Sequence, residues 1–418
     1  MNNQSKIRKY LTVFALGLAG GSIYCLPYIK YILYDAQIAV MGISNTQSGL
    51  IMTAYTVGNM LLYIPGGIIA DKLSPRKSLT VSLIATTALG LFYAVNSSYK
   101  ISILIWIGFS ISSAFVFWSS LLKAVRLIGT EEEQGFIYGC YYACNGIAAS
   151  VTNAIAVKVF GAAGDTATGF RLAVIVLAAV PAIAGIMLWF LMKDDKDEAE
   201  TVSVEDDSNS VHVKDIGKAL KNPIVWVFSL TVFIGYGFYT SSSYFTPYLT
   251  AVRGINPVDS GLISILRTNL MLLVAPLAGI IADKFFKSTA RWHRVCFLIL
   301  ALLYAGCMVL PKGISSTAAA IYTLIPAFFA VMMYGIMFAT ISELGIPRAM
   351  TGTVIGIASI IGYLPDSVYS VIFGKFLDAG AVTGYNSIFT FLICTGILGM
   401  ITTTIEFRYA KKLKAMEK

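Results

Sequence analysis

Apolar stretches long enough to cross a bilayer alternate along the chain with short polar or basic breaks. They run roughly over 10–36, 46–70, 78–96, 101–122, 135–160 and 170–192, then over 223–246, 258–282, 293–311, 317–341, 351–376 and 386–407. Each is about 20 residues or longer, the length at which a helix spans the hydrocarbon. The pattern predicts an all-α membrane protein with twelve transmembrane helices in two six-helix bundles, residues 1–192 and 223–418, joined by a hydrophilic cytoplasmic linker over 193–222. The first stretch follows Lys6, Arg8 and Lys9, as a signal peptide would, but at about 27 residues it is too long for the apolar part of one.

The breaks also carry the topology. With the N-terminus in the cytoplasm, segments 1–9, 71–77, 123–133, 193–222, 283–294, 342–350 and 408–418 face inward and hold 23 of the 31 Lys and Arg residues. This positive-inside bias predicts both termini cytoplasmic, in a multi-pass protein of a bacterial inner (cytoplasmic) membrane. The linker has nine acidic against five basic residues and reads as a largely disordered, solvated connector, ending in a short surface helix from Val213 to Leu220.

Composition narrows the function. Of 418 residues, 57% are apolar and 13% charged, with a mean hydropathy of +0.74, which excludes a soluble enzyme. The net charge of +9 lies between apolar runs and forms no stripe, so topology accounts for it better than a nucleic-acid partner. All six cysteines fall in apolar stretches without a Cys-x-x-Cys pair. His212 and His293, in the linker and at a span boundary, are placed for neither a zinc site nor a Ser-His-Asp triad. No Gly-x-x-x-x-Gly-Lys-Ser/Thr loop occurs, so ATP is not the energy source. No cofactor and no enzymatic activity are expected.

An internal repeat organises the spans. Ala39 to Ile51 (AVMGISNTQSGLI) matches Ala251 to Ile263 (AVRGINPVDSGLI) at eight of thirteen positions, with an offset of 212. The same offset superposes Gly67-Ile68-Ile69-Ala70-Asp71-Lys72 on Gly279-Ile280-Ile281-Ala282-Asp283-Lys284, giving 16 identities in 34 residues. Shared greasiness does not produce matching Gly, Ser, Asp and Lys positions. Spans 2 and 8 are therefore equivalent, as in parallel-repeat carriers.

With these residues the sequence resembles the major facilitator superfamily over its whole length. Gly67, Asp71, Lys72 and Arg76 match the superfamily's signature after span 2, with Ser74 in place of a glycine. Asp-Lys-Leu-Ser-Pro-Arg, and Leu220-Lys221-Asn222-Pro223 leading into Trp226, are similar to the organophosphate:phosphate antiporter group. Unlike that group, span 7 carries no cation. The resemblance implies alternating access, with Asp71, Lys72, Arg76 and Asp283 as gating residues. A carboxylate at Asp71 or Asp283 is favoured beside a helix N-terminus, near Thr351 for the first and near Gln134 for the second. A generic interfacial loop is the competing reading, and the double occurrence favours the gating one.

Apart from groups at helix ends, the spans contain three charged residues of interest: Lys30, Arg267 and Asp366. Each costs at least ~2.5 kcal/mol at the bilayer centre, so all three are expected to face the bundle interior. Lys30, in the outer half of span 1, has snorkelling to the headgroups as its alternative. Arg267 and Lys30 are expected to bind an organic anion, since guanidinium grips carboxylate or phosphate oxygens in pairs. Asp366 is expected to pair with Arg267 in the empty site or to carry a proton. A purely structural Arg267–Asp366 bridge is the competing reading.

Tyrosines are dense in spans 1, 4, 5 and 7. Tyr24, Tyr28, Tyr141 and Tyr236, with Asn145, are the expected cavity-lining hydrogen-bond donors; Tyr34 and Tyr244 are assigned to the interfacial aromatic belt. Gly352, Gly356, Gly362 and Pro365 predict a bend beside Asp366. The sequence thus reads as a monomeric secondary carrier of a small organic anion, a carboxylate or phosphorylated metabolite, by proton symport or antiport against a counter-anion. A carrier of a neutral or sugar-like solute and a transporter-like sensor are the two rival readings.

Overall fold

The computed structural model describes residues 3–128, 134–192, 213–268, 271, 274–311 and 313–416. All the regular structure among them is helical. This is the outcome lipid imposes, because a helix pairs every interior backbone N–H and C=O within its own segment. Nine helices among the described residues are long and apolar enough to cross a membrane. Three spans, the first, second and eighth, fall short. The first stops at Ile23, passes through a 3-10 turn at Ile29–Tyr31 and resumes as Tyr34–Met41. The second is a single helix, Asn45–Lys72, made less apolar by Asn45, Thr46, Gln47, Ser48, Thr53, Thr56 and Asn59. For the eighth, residues 269–270 and 272–273, between Pro257–Thr268 and Ala275–Ile281, lie outside the described residues.

The chain forms two compact units. The first comprises Met1–Val204 with Asn256–Asn269, and the second Glu205–Ile255 with Leu270–Lys418. The Pro257–Thr268 helix thus groups with the first unit although it lies in the second half of the sequence.

In the first unit, Pro75–Val95 packs along Thr166–Leu191, Asn3–Ile23 along Gln134–Ala162, and Asn45–Lys72 along Tyr99–Ser110. One apolar core gathers Leu26, Ile29, Ile32, Met52, Trp106 and Phe170; another gathers Leu16, Ile23, Leu83, Phe117 and Leu188. Close approach of the first helix to Gln134–Ala162 depends on Gly21, where a Cβ would lie 2.3 Å from the Asn145 carbonyl oxygen. In the second unit, Thr289–Val309 packs along Ala381–Met416, and Pro223–Ser241 along Arg348–Gly362.

Caps mark where helices start. Ser44 and Gln47 form a reciprocal capping box, Asp165 caps Thr166–Leu191, and Asn222 precedes Pro223 at the first helical position. Ser44 and Asn256 are equivalent in the repeat, and Asn256 likewise accepts from the backbone N–H of Val258 at 2.8 Å. On the outside, Val81, Val95, Phe190 and Val309 are each more than two-thirds exposed, as a surface solvated by lipid tails requires. Hydroxyls within spans, such as Thr53, Thr56, Ser150 and Ser229, donate to carbonyls one turn back, which satisfies them without a partner helix.

Candidate functional site

Two of the three charges within spans, Lys30 and Asp366, lie at helix breaks. Lys30 occupies the 3-10 turn Ile29–Tyr31, where Pro27, lacking an N–H, interrupts the first helix. Arg267 is in the last turn of Pro257–Thr268, and Asp366 in the first turn of Pro365–Asp378, after the Arg348–Gly362 helix stops at Tyr363. A cation at a helix C-terminus and a carboxylate at an N-terminus are each favoured by the helix dipole. Freed carbonyls around the first break find donors: Trp106 Nε1 donates to Pro27 O at 3.0 Å, and Ser264 Oγ to Tyr31 O at 2.7 Å.

That second bond ties the Arg267-bearing helix to the Lys30-bearing turn. Ile265 packs in the same apolar core as Ile29 and Ile32, so the neighbours of both cations share one packed region of the first unit. Arg267 is fully buried and Lys30 is 4% exposed, with its Nζ 5.8 Å from the centre of the Tyr34 ring. Lys30 therefore does not snorkel to the surface of the protein. Tyr34 and Tyr244 are buried as well, which corrects their assignment to the aromatic belt: both rings pack against protein.

The tyrosines sort into three groups. Tyr24 donates to Ser113 O at 3.2 Å, and Tyr55 shares a 3.0 Å hydrogen bond with Ser113 Oγ. Ser113 sits in a π-helical turn, Ile111–Phe115, inserted in the fourth span, a feature concentrated at functional sites. Tyr28 stacks edge-on against Tyr55 and lies 5.2 Å from Tyr31, centroid to centroid. Tyr141 accepts from Asn145 Nδ2 at 3.2 Å, and both nest against Gly20, where a Cβ would lie within 2.7 Å of each.

In the second unit, Tyr236 donates to Asp366 Oδ2 at 2.7 Å and Thr240 donates to Asp366 Oδ1. Around them stand Tyr239, stacked on Tyr334 at 4.4 Å, and Tyr363, edge-on to Tyr236 at 4.7 Å. The carboxylate of Asp366 thus sits at a helix N-terminus with a hydroxyl on each oxygen inside an aromatic cage. Such a group holds a negative charge well; a proton on either oxygen would require Tyr236 or Thr240 to turn its hydroxyl and accept. The sequence singles out Tyr236 and Asp366 separately, and it does not distinguish Thr240, Tyr334 and Tyr363 from other span residues. One signal was available: Tyr24 and Tyr236 are separated by the repeat offset of 212, as are Tyr28 and Thr240.

Arg267 and Asp366 belong to different units. Of the gating candidates, Asp71 has its side chain outside the described residues. Lys72 is exposed at the end of its helix. Arg76 stacks on Trp189 at 4.2 Å. Asp283 is exposed in the π-turn Ala282–Phe286. The acidic run 131–133 and most of the linker lie outside the described residues. Among the described residues no three His, Cys, Asp or Glu side chains converge as a metal site.

The comparisons agree with this architecture. A sequence model of the Major Facilitator Superfamily matches residues 11–369. The chain is 30% identical over 399 residues to the inner membrane protein YqcE of Escherichia coli, covering 94% of this chain and 93% of that protein. It is 23% identical over 412 residues to a Cupriavidus necator protein named "Probable sulfoacetate transporter SauU", covering 89% and 92%. Among solved structures, a bacterial homolog of the human lysosomal transporter Spinster, in an inward-facing and occupied conformation, has the same fold, with a TM-score of 0.73 at 15% identity and 98% and 97% of the two chains covered. The chain therefore belongs to the major facilitator superfamily and is a multi-pass membrane transporter of that family.

Proposed function

We propose that the protein carries a small organic anion across the cytoplasmic membrane by alternating access, with Arg267 and Lys30 as the anion-binding cations. The observation that carries this reading is the burial of both cations in one packed region of the first unit. A guanidinium's planar fork matches carboxylate, sulfonate or phosphate oxygens, which suits a buried arginine to an anionic cargo. Tyr24, Tyr28, Tyr141 and Asn145, on the first and fifth spans of the same unit, supply hydroxyl and amide donors suited to carboxylate, sulfonate or phosphate oxygens. The sulfoacetate named in the relative's title is a cargo of this chemistry. Asp366, framed by Tyr236 and Thr240, is the proton-coupling group. Asp71, Lys72, Arg76 and Asp283 gate the ends of the second and eighth spans, and both termini face the cytoplasm.

Counterflow in proteoliposomes tests this. Vesicles loaded with unlabelled carboxylates, sulfonates, phosphate esters or neutral sugars are assayed for accumulation of the labelled compound. Acceleration by one anionic class alone is the expected result. Acceleration by neutral sugars alone would assign the cations a structural role, and binding without counterflow would make the protein a sensor.

A further inference from the structure

Apart from Asp366, the second unit contains one more fully buried carboxylate among the described residues, Glu406 on the Ala381–Met416 helix. Its Oε1 lies 2.6 Å from Thr231 Oγ1. Thr231 Oγ1 is in turn 2.8 Å from Thr402 Oγ1 and 3.1 Å from Val227 O, and Thr402 Oγ1 is 3.1 Å from Gly399 O. Oε2 has no hydrogen-bond partner among the described residues.

The hydrogens in this cluster can be counted. Each threonine has one. If Glu406 is ionised, Thr231 gives its only hydrogen to Oε1, and Oε2 keeps its share of a full negative charge with no donor, in a span. If Glu406 is protonated, it donates to Thr231, Thr231 donates to Val227 O, and Thr402 donates to Gly399 O. Every hydrogen then has an acceptor and only a neutral carbonyl is left bare. A neutral polar atom without a partner costs far less to bury than a charge.

Among the described residues no cation pairs with Glu406, those of its own helix, Arg408, Lys411 and Lys412, included. Pro223–Ser241 brings Thr231 and no ionisable groups besides Tyr236 and Tyr239. Phe245–Ala251 brings only Tyr248. Pro365–Asp378 carries Asp366, Tyr369, Lys375 and Asp378, the last two at its far end. Thr289–Val309 carries Arg291, His293, Arg294, Cys296, Tyr304 and Cys307. Both of its guanidinium groups lie over the ring of Phe407, at 4.4 and 5.8 Å, and adjacent helical residues point about 100° apart. His293 Nδ1 is hydrogen-bonded to Thr340. The nearest acid, Glu343, adds like charge to Glu406 and is held by Ser288 and the Thr289 N–H.

We infer that Glu406 is a second proton-binding site, distinct from Asp366 and occupied by a proton at neutral pH. Its proton leaves to water as H⁺ only when donors or water reach Oε2, which requires the seam between Pro223–Ser241 and Ala381–Met416 to loosen. Thr231 stands five and nine residues before Tyr236 and Thr240, so one helix bears both carboxylate cradles. Proton occupancy of Glu406 is thereby tied to the packing of the helix that frames Asp366. This site does not depend on the identity of the cargo.

Infrared difference spectroscopy of the protein in lipid tests it without transport. The C=O stretch of a protonated carboxyl is expected to persist at and above neutral pH, to vanish in Glu406→Gln and to remain in Asp366→Asn. An unchanged spectrum in Glu406→Gln would overturn the inference. Thermal stability is expected to fall as pH rises from the ordinary carboxylate range through neutrality, because the unfolded chain gives up the Glu406 proton first; this fall is expected to shrink in Glu406→Gln, and equal curves would likewise overturn the inference. If Glu406→Gln does not fold, Thr231→Val is expected to shift the carboxyl band to higher frequency, and an unshifted band would refute the assignment.

Discussion

Exchange of Arg267 for glutamine removes a full positive charge from a site with no measurable exposure. The helix that carries it is fixed by Ser264 to the Tyr31 carbonyl and by Ile265 in the core, so the backbone stays in place while the charge is lost. Truncating one member of a buried, hydrogen-bonded charge pair costs about 2–5 kcal/mol. At about 1.4 kcal/mol per decade, the affinity for an anionic cargo falls about thirtyfold to several thousandfold. Arg267→Lys retains the charge but loses the planar fork, and an intermediate loss of about tenfold is expected. Equilibrium binding of a labelled anion to purified protein measures the affinity, and counterflow in proteoliposomes measures the rate. Melting temperature controls for misfolding. A glutamine variant that melts like the parent and binds the anion within about threefold of it would show that Arg267 does not meet the cargo.

Asp366→Asn keeps the shape of the carboxylate but puts an amide donor opposite a hydroxyl donor, so Tyr236 or Thr240 must turn to accept. The variant is expected to retain counterflow and to lose the pH dependence of net uptake; unaltered pH dependence would remove Asp366 from proton coupling. Gly21→Ala places a methyl 2.3 Å from the Asn145 carbonyl oxygen and is expected to destabilise the first unit by about 1–3 kcal/mol. Gly146→Ala on the facing helix meets nothing within 4 Å and is expected to be neutral or stabilising by about 0.5–1 kcal/mol, so a thermal melt of the pair isolates the steric effect. The Thr168 backbone N–H holds the Asp165 carboxyl below its usual range. A lowered native value means that its stabilising contribution is present above the unfolded value and lost as pH falls through the native one. Asp165→Asn is expected to flatten the acid limb of the melting curve, and an unchanged limb would refute this.

Much of the site was legible only as separate parts. Tyr236 and Asp366 were both read from the sequence, yet their 2.7 Å bond joins residues 130 positions apart, and no local pattern reports it. Thr240 looks like any span hydroxyl until the break at Tyr363 turns the first helical residues after Pro365 toward it. Tyr34 and Tyr244 sit near span ends, where tyrosines commonly face the headgroups; burial places them inside. Glu406 stands near the end of the last apolar stretch, close to Arg408, Lys411 and Lys412, where in sequence it reads as a member of a charged tail.

The sequence alone determined the helical class, the approximate spans, the doubled architecture and the identity of the three intramembrane charges. These are properties of a window of residues or of two windows compared: lipid demands helices, apolar length sets their number, and an offset of 212 reveals the repeat. The tertiary structure decided which breaks hold which charges, which hydroxyls frame Asp366, that the Pro257–Thr268 helix groups with the first unit, and that Glu406 is sealed from solvent. Those outcomes depend on helices far apart in the chain meeting at close range, where single hydrogen bonds and the space of one methyl group select the partner.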